Sequence, residues 1–411
     1  MTAPTVSTIT TCEVCGSRSL QPVLDLGSHP MCDDLVPVGD GRHCVKYPIE
    51  ILLCRSCMTA HQAFQVPKET LFPKTYHYRS RFTADVINGM RSLVESTSAA
   101  FGGLSGTTVV DIGCNDGSLL DIFKAAGATT TIGVEPTGAC EDAAAKGHFT
   151  YNEYLSERVA QTIVERHGVP AFVSMTNVFA HIEQLPGVLA ALRQLSGPQT
   201  VLVIENHYLG AVLERNQFDT FYHEHPRSYS YASFVRIAQS LGMHCLHVDF
   251  PSRYGGNIRV FLGARQAAAF DDAALRRRES RFPDEFATMR QNVARWTERK
   301  GAVIRNLVRQ HGPLLGKAFP GRAAILIELL GLDHDQISAV YEKPGSLKIR
   351  NYVPGTRIPI ASDNELFAQP DLTVPIVNLA WHISAEIGGY LRAAGYRGEI
   401  IDILAPEDFA P

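Results

Sequence analysis

No run of about 18 consecutive apolar residues, the length a helix needs to cross a bilayer, occurs in this chain of 411 residues. The start, Met1 to Thr11, has no basic segment followed by an apolar stretch, so no secretory signal is expected there. Charge of either sign is scarce in excess: the net charge is -4 and the pI about 6.4, which leaves no broad positive field for a polyphosphate backbone. The nine cysteines are odd in number and scattered over a large chain, unlike a secreted disulfide framework. These absences point to the cytoplasm and away from a nucleic acid or a membrane as partner; a small-molecule partner and a monomer or weak homo-oligomer are the accompanying expectations.

What is present is ordinary core material, with 45% hydrophobic and 19% charged residues. The length exceeds what one core normally organises. Four segments are expected: a front module over 1–78, a central domain over 79–265, a helical bridge over 266–310 and a closing α/β domain over 311–411.

The front module holds six of the nine cysteines, with strand-like runs at Pro22–Leu26 and Tyr47–Leu53. Cys12-x-x-Cys15 and Cys54-x-x-Cys57 form two knuckles 38 residues apart. Each knuckle presents two thiolates from a tight turn, and four thiolates suit a closed tetrahedral Zn2+ site. The alternative is a set of free or redox-active thiols. With every position filled by sulfur, the metal has no open site for water or substrate, so its role is structural. Cys32 and Cys44 are expected to be buried or spare.

A helical pattern from about Thr83 leads to Gly102-Gly103, and apolar strands then alternate with helices: Thr107–Gly113, Thr130–Val134, Ala171–Met175 and Val201–Glu205. That alternation predicts a doubly wound, mostly parallel sheet. In Val109-Val110-Asp111-Ile112-Gly113-Cys114-Asn115-Asp116-Gly117-Ser118 a strand runs into a glycine-rich turn and a helix, an arrangement that lets a ligand approach backbone N–H groups. The next strand ends in Glu135, 24 residues after Asp111, where a carboxylate can accept both hydroxyl protons of a ribose. The turn has neither the G-x-G-x-x-G spacing of dinucleotide binders nor the Gly-Lys-Ser/Thr of a phosphate loop. An adenosyl ligand without a required pyrophosphate fits best. Asn177, at the carboxyl end of the Ala171 strand, faces the same crevice. His181 follows one helical turn on and reads equally as a surface or capped histidine.

Phe221-Tyr222-His223-Glu224-His225-Pro226 packs a phenol, a carboxylate and two imidazoles into one loop. Histidine suits proton abstraction near neutrality, and a tyrosine or second histidine can stabilise an oxyanion. Metal binding by His223, Glu224 and His225 is the weaker alternative, because neighbours on an extended chain point apart. A purely structural polar cluster is the other. Helical spacing of Phe286, Met289, Val293 and Trp296 marks the bridge, and Gln336–Tyr341, Thr373–Leu379 and Ser384–Ala394 read as two strands and a helix of the closing domain.

On these motifs, together with Leu71–Tyr78 and Tyr254-Gly255-Gly256-Asn257-Ile258-Arg259, the chain resembles the deoxysugar C-methyltransferases over nearly its full length. The cofactor turn resembles the first two motifs of class I methyltransferases. The resemblance implies a Rossmann-like α/β methyltransferase core between a zinc module and a C-terminal α/β domain. It implies S-adenosyl-L-methionine held by Asp111, Gly113, Asn115, Asp116, Gly117, Glu135 and Asn177. It further implies a nucleotide-diphosphate 4-keto sugar deprotonated beside its ketone and methylated there. His225 is then the base, Tyr222 and Tyr76 assist at the enolate or in proton relay, and Glu224 and His181 orient or polarise. Tyr78, Asn257 and Arg259 would contact the substrate. The run Leu315-Gly316-Lys317-Ala318-Phe319-Pro320-Gly321-Arg322 departs from the family's glycine-rich turn, so Lys317 and Arg322 read either as diphosphate contacts or as solvated charges on a turn. An O- or N-methyltransferase and a non-catalytic zinc-ribbon regulator are the rival readings.

Overall fold

The computed structural model describes residues 6–71, 80–82, 84–265 and 271–409. At its centre lies a seven-stranded sheet ordered His244–Asp249, Asn257–Gly263, Val201–His207, Phe172–Thr176, Thr108–Ile112, Thr130–Val134 and Phe149–Tyr151. The last five are mutually parallel, and Asn257–Gly263 runs antiparallel to both neighbours. Runs such as Val201-Leu202-Val203-Ile204 are buried on both faces, which is why they carry continuous apolar sequence rather than alternation. From Thr108–Ile112 the chain winds outward to Phe149–Tyr151 and returns on the other side as Phe172–Thr176. The winding reverses there, and the carboxyl ends of these two strands open the crevice where such sheets bind ligands.

A second sheet, all parallel, is ordered Ile360–Ser362, Ile337–Glu342, Leu314–Lys317, Ile376–Asn378 and Ile400–Asp402. Between the sheets lies the helix Phe282–His311, whose Phe286, Met289 and Trp296 are fully buried. Trp296 packs its ring on Phe218 at 5.2 Å and donates its indole N–H to the Ile403 carbonyl at 3.0 Å, so one side chain touches both α/β regions. The 3.6-residue spacing made this helix legible.

The front region forms an antiparallel sheet of Leu20–Pro30, Lys46–Cys54 and Ala60–Gln62, and its fourth strand, Arg227–Ser228, comes from the central region. Val36–Pro37 pairs in turn with Asn351–Tyr352 of the third region. The module is thus joined to both other regions by strand pairing. Among the described residues, no helix is long and apolar enough to cross a membrane.

Candidate functional site

The four knuckle cysteines converge. Their sulfurs all lie within 4.8 Å of one another, with Cys12 Sγ 3.5 Å from Cys57 Sγ and Cys15 Sγ 3.6 Å from Cys54 Sγ. A tetrahedral zinc with Zn–S near 2.3 Å sets sulfurs about 3.8 Å apart, so the residues fit the ion. His61 Nε2 lies 3.3 Å from Cys12 Sγ, an outer partner of the kind that orients metal ligands. His223, Glu224 and His225 form no such group among the described residues. Cys32 is buried and Cys44 donates to the Asp34 carbonyl at 3.2 Å, as expected of spare thiols.

The cofactor turn starts from a strand end and needs positive φ at Gly113 (+72°) and Gly117 (+74°). A Cβ on Gly113 would stand 2.3 Å from Val178 Cγ2, so the turn and the segment after Phe172–Thr176 touch only because that side chain is missing. Asn115 and Asn177 also hold left-handed conformations, at φ 50° and 54°, which asparagine tolerates. Glu135 accepts the Asn115 N–H at 3.0 Å through one oxygen and the Thr137 N–H at 2.9 Å through the other. It is thereby fixed at the crevice with lone pairs left on each oxygen. Asn177 Oδ1 is buried without a hydrogen-bond partner among the described residues.

Two acids placed at the cofactor by sequence have other work. Asp111 turns into the sheet, where it accepts from Ser174 Oγ at 2.7 Å and burial pushes its carboxyl up to about 7. Asp116 is fully buried and accepts from Ser118 Oγ at 2.6 Å and the Arg81 N–H at 3.1 Å. It also accepts the Ser118 N–H at the start of the helix at 3.2 Å, so it ties the Arg81 backbone to the cofactor turn.

Val178 leads into a 3-10 turn, Phe179–His181, and there the second cluster begins. The His181 ring lies 4.8 Å from that of His225, His207 lies 5.6 Å from it, and the Tyr222 ring meets it at 4.1 Å, tilted by 40°. His225 Nδ1 meets the Thr220 carbonyl at 3.0 Å. A carbonyl only accepts, so Nδ1 carries the proton and Nε2 keeps the lone pair. Burial holds His225 well below the usual imidazole range, with His181 and His207 adding. His181, its Nδ1 donating to the Glu224 carbonyl at 2.8 Å, is pushed down to about 4 by burial. His207 and His382 are pushed down to about 3, again by burial first and then by Arg322.

Arg322 comes from the third region. It donates Nε to Asp219 Oδ2 at 2.8 Å, lies over the Trp381 ring at 4.9 Å, and leaves Nη2 buried without a partner among the described residues. Trp381 donates to the same Asp219 oxygen at 2.9 Å. Asp219 and Thr220 are adjacent, so one turn of chain anchors both Arg322 and His225.

Several expectations change. The Glu224 carboxyl, pushed up to about 8 by burial and by Asp33, has Asp33 and Lys348 as its charged neighbours; only its backbone carbonyl meets His181. His223 turns the other way, with Nε2 on the Tyr47 carbonyl at 3.1 Å. Asn257 and Arg259 donate to Glu205 at 2.9 and 2.7 Å in a buried network, with Asn257 opposite His207 in the strand register. Lys317 is neither solvated nor free for a diphosphate, because its ammonium meets both oxygens of buried Asp363 at 2.7 and 2.9 Å and the Tyr341 carbonyl at 3.1 Å. Tyr76 and Tyr78 lie outside the described residues. The sequence reading missed His207, His382 and Asp219. His207 was hidden because the Val201 strand extends two residues past Glu205, carrying it to the crevice edge.

Two expected outcomes follow directly. Lys317→Met strands Asp363 in the core, and breaking a buried pair from one side costs about 3–5 kcal/mol; the urea midpoint should drop sharply and recover in Lys317→Met/Asp363→Leu. Equal midpoints for wild type and the single variant would refute the pairing. The imidazoles of His181, His207, His223 and His382 are depressed to between about 3 and 4 from about 6.5 unfolded. The unfolded chain therefore binds more protons below pH 6.5. Stability is fully present above that pH and is lost as pH falls toward 4, at up to about 1.4 kcal/mol per imidazole per pH unit. Glu224 and Asp111, both raised, act with the opposite sign. Urea melts between pH 7.5 and 5 should show a net loss, and flat midpoints would contradict it.

The comparisons agree with this layout. A family described as a putative zinc binding domain matches residues 12–72, a methyltransferase domain matches 78–248 and a C-methyltransferase C-terminal domain matches 252–401. The chain is 30% identical to the C-methyltransferase NovU of Streptomyces niveus, over 93% of this chain and 92% of that protein. Solved structures overlay on less than half of the chain. Magnesium protoporphyrin IX methyltransferase of Synechocystis PCC 6803 with bound SAM gives a TM-score of 0.33 at 17% identity, over 43% of this chain and 79% of its own. A SAM-dependent methyltransferase from Archaeoglobus fulgidus gives 0.36 at 13%, over 43% and 93%. Zinc knuckles, central domain and dedicated C-terminal domain occur in one chain in the family's order, and the chain belongs to the deoxysugar C-methyltransferase family as an S-adenosylmethionine-dependent enzyme with structural zinc.

Proposed function

We propose that this enzyme methylates the carbon beside the ketone of a nucleotide-diphosphate 4-keto deoxysugar, in the biosynthesis of an antibiotic or other natural-product sugar. The observation that carries this reading is the state of His225. A neutral imidazole with Nδ1 committed to Thr220 and Nε2 bearing the lone pair, beside a phenol, is equipped to take a carbon-bound proton. O- or N-methylation of an already nucleophilic atom makes less use of it.

In this mechanism the ketone acidifies its α-hydrogen, and His225 Nε2 takes the proton while the C–H electron pair passes into an enolate. Tyr222 and the buried Nη2 of Arg322 offer donors to the developing oxyanion or the adjoining diphosphate, where preorganised donors act strongly. Bound S-adenosylmethionine supplies an electrophilic methyl group on a sulfonium. Glu135 and the turn from Gly113 to Gly117 would hold it, with Asn177 at the crevice edge. The enolate carbon would be the nucleophile for that methyl group, S-adenosylhomocysteine would be the leaving group, and His225 would return its proton to solvent. Burial holds the imidazoles of His181, His207 and His382 neutral, so none of them brings a permanent positive charge to the reaction.

The test is incubation with a series of thymidine-diphosphate 4-keto sugars in deuterated water, read by mass spectrometry. A new carbon-bound methyl, with α-deuterium incorporation in unreacted sugar, is the expected result. A methyl on oxygen, or no exchange with any 4-keto sugar, would overturn the reading.

A further inference from the structure

The loop that carries Tyr222 and His225 is braced from outside its own domain. Gln62, on the front-module strand Ala60–Gln62, is buried. Its side-chain Nε2 donates to the Phe221 carbonyl at 3.0 Å and to the Tyr222 carbonyl at 3.4 Å, while its backbone N–H donates to the Pro226 carbonyl at 2.9 Å. One residue therefore grips both ends of the 221–226 turn. The Tyr222 carbonyl it meets is the one that accepts the His225 backbone N–H at 2.9 Å, the bond that folds the turn and brings the two rings to 4.1 Å.

The strand is itself anchored in the metal cluster. Cys54 N–H bonds to the Thr59 carbonyl at 2.9 Å, Thr59 Oγ1 lies 3.0 Å from Cys57 Sγ, and His61 beside Gln62 reaches Cys12 Sγ. On the other side His61 pairs with Arg227 and Ala60 with Ser228, so the chain leaving the turn is held in register by the same strand. A short polar loop with no helix or strand of its own has few other means of holding two rings in contact. An amide is suited to this, since its NH2 can serve two carbonyls at once.

We propose that Gln62 is a positioning residue for the chemical step, through which the zinc module sets the geometry of Tyr222 and His225 without touching the substrate. This rests on the reading that their loop carries the chemistry. Misplacement of a catalytic group by about 1 Å can cost on the order of a hundredfold in rate, and Gln62→Met keeps the side chain's length while deleting the donor.

In full-length Gln62→Met, zinc content, melting temperature and calorimetric affinity for S-adenosylmethionine are expected to match wild type. kcat with the 4-keto sugar that wild type methylates should fall by on the order of a hundredfold with KM unchanged. Hydrogen–deuterium exchange across 221–226, and carbethoxylation of His225 by diethyl pyrocarbonate, should both accelerate. An unchanged kcat, or a fall matched by loss of zinc or of cofactor binding, overturns the proposal. If wild type methylates no 4-keto sugar, it is the acceptor reading that fails. Gln62 is then judged on loop exchange and His225 reactivity alone, and values equal to wild type overturn its role.

Discussion

Replacing His225 by alanine is expected to lower methyl transfer by about 10²–10⁴-fold, the usual contribution of a positioned general base, and to abolish α-deuterium exchange into the sugar. Affinity for S-adenosylmethionine should be unchanged, because Glu135, assigned to the cofactor, is held by the Asn115 and Thr137 N–H groups rather than by that ring. His223→Ala should lose much less activity, since His223 faces Tyr47 in the front module. The pH dependence sharpens the test. With His225 held well below the ordinary imidazole range, the base form persists through mildly acidic pH, and the acid limb of kcat should fall below pH 6.5. A His225→Ala enzyme that still exchanges the α-hydrogen at the wild-type rate would remove the mechanism.

Cys54→Ser should have the largest effect on stability. A structural zinc contributes about 10–16 kcal/mol of apparent binding free energy in small zinc-finger peptides at neutral pH, and here the four sulfurs lie within 4.8 Å of one another and join the two knuckles. Zinc content is expected to collapse and the front sheet to unfold. Arg227–Ser228 is that sheet's fourth strand, so methyl transfer should disappear as well. Full retention of zinc in Cys54→Ser would refute the four-thiolate assignment.

The four central strands of the large sheet were legible because a strand buried on both faces must be apolar throughout, and the Thr130–Val134 run has the same bounds in sequence and structure. Short strands such as Phe149–Tyr151 and Ile360–Ser362 were not, and Leu314–Lys317, read as part of a turn, is a buried strand. The knuckles and the cofactor turn were legible because their chemistry is local. What sequence did not show is non-local. Glu224 stood among candidate polarising groups, and its charged neighbours, Asp33 and Lys348, come from distant segments with no motif. Lys317 looked like a surface charge because its partner, Asp363, is far along the chain. Arg322 was visible as a candidate cation, but the Asp219 carboxylate and Trp381 ring that aim it belong to segments with no motif. Gln62 had no sequence signal at all, since a glutamine becomes a brace only when two carbonyls from another region arrive beside it.

The pairing of the front module with Arg227–Ser228 and with Asn351–Tyr352 has a consequence for biosynthesis of the chain itself. A nascent module leaves the ribosome with its sheet edge open, and at about 5–20 residues per second its missing strands emerge roughly ten seconds or more later. During that interval the exposed Ala60–Gln62 edge is a template for any passing strand. Early capture of zinc, which orders the knuckles before the central domain exists, would then protect the growing polypeptide from mispairing. Expression under zinc limitation should consequently lower soluble yield more than it lowers the specific activity of the protein that does fold.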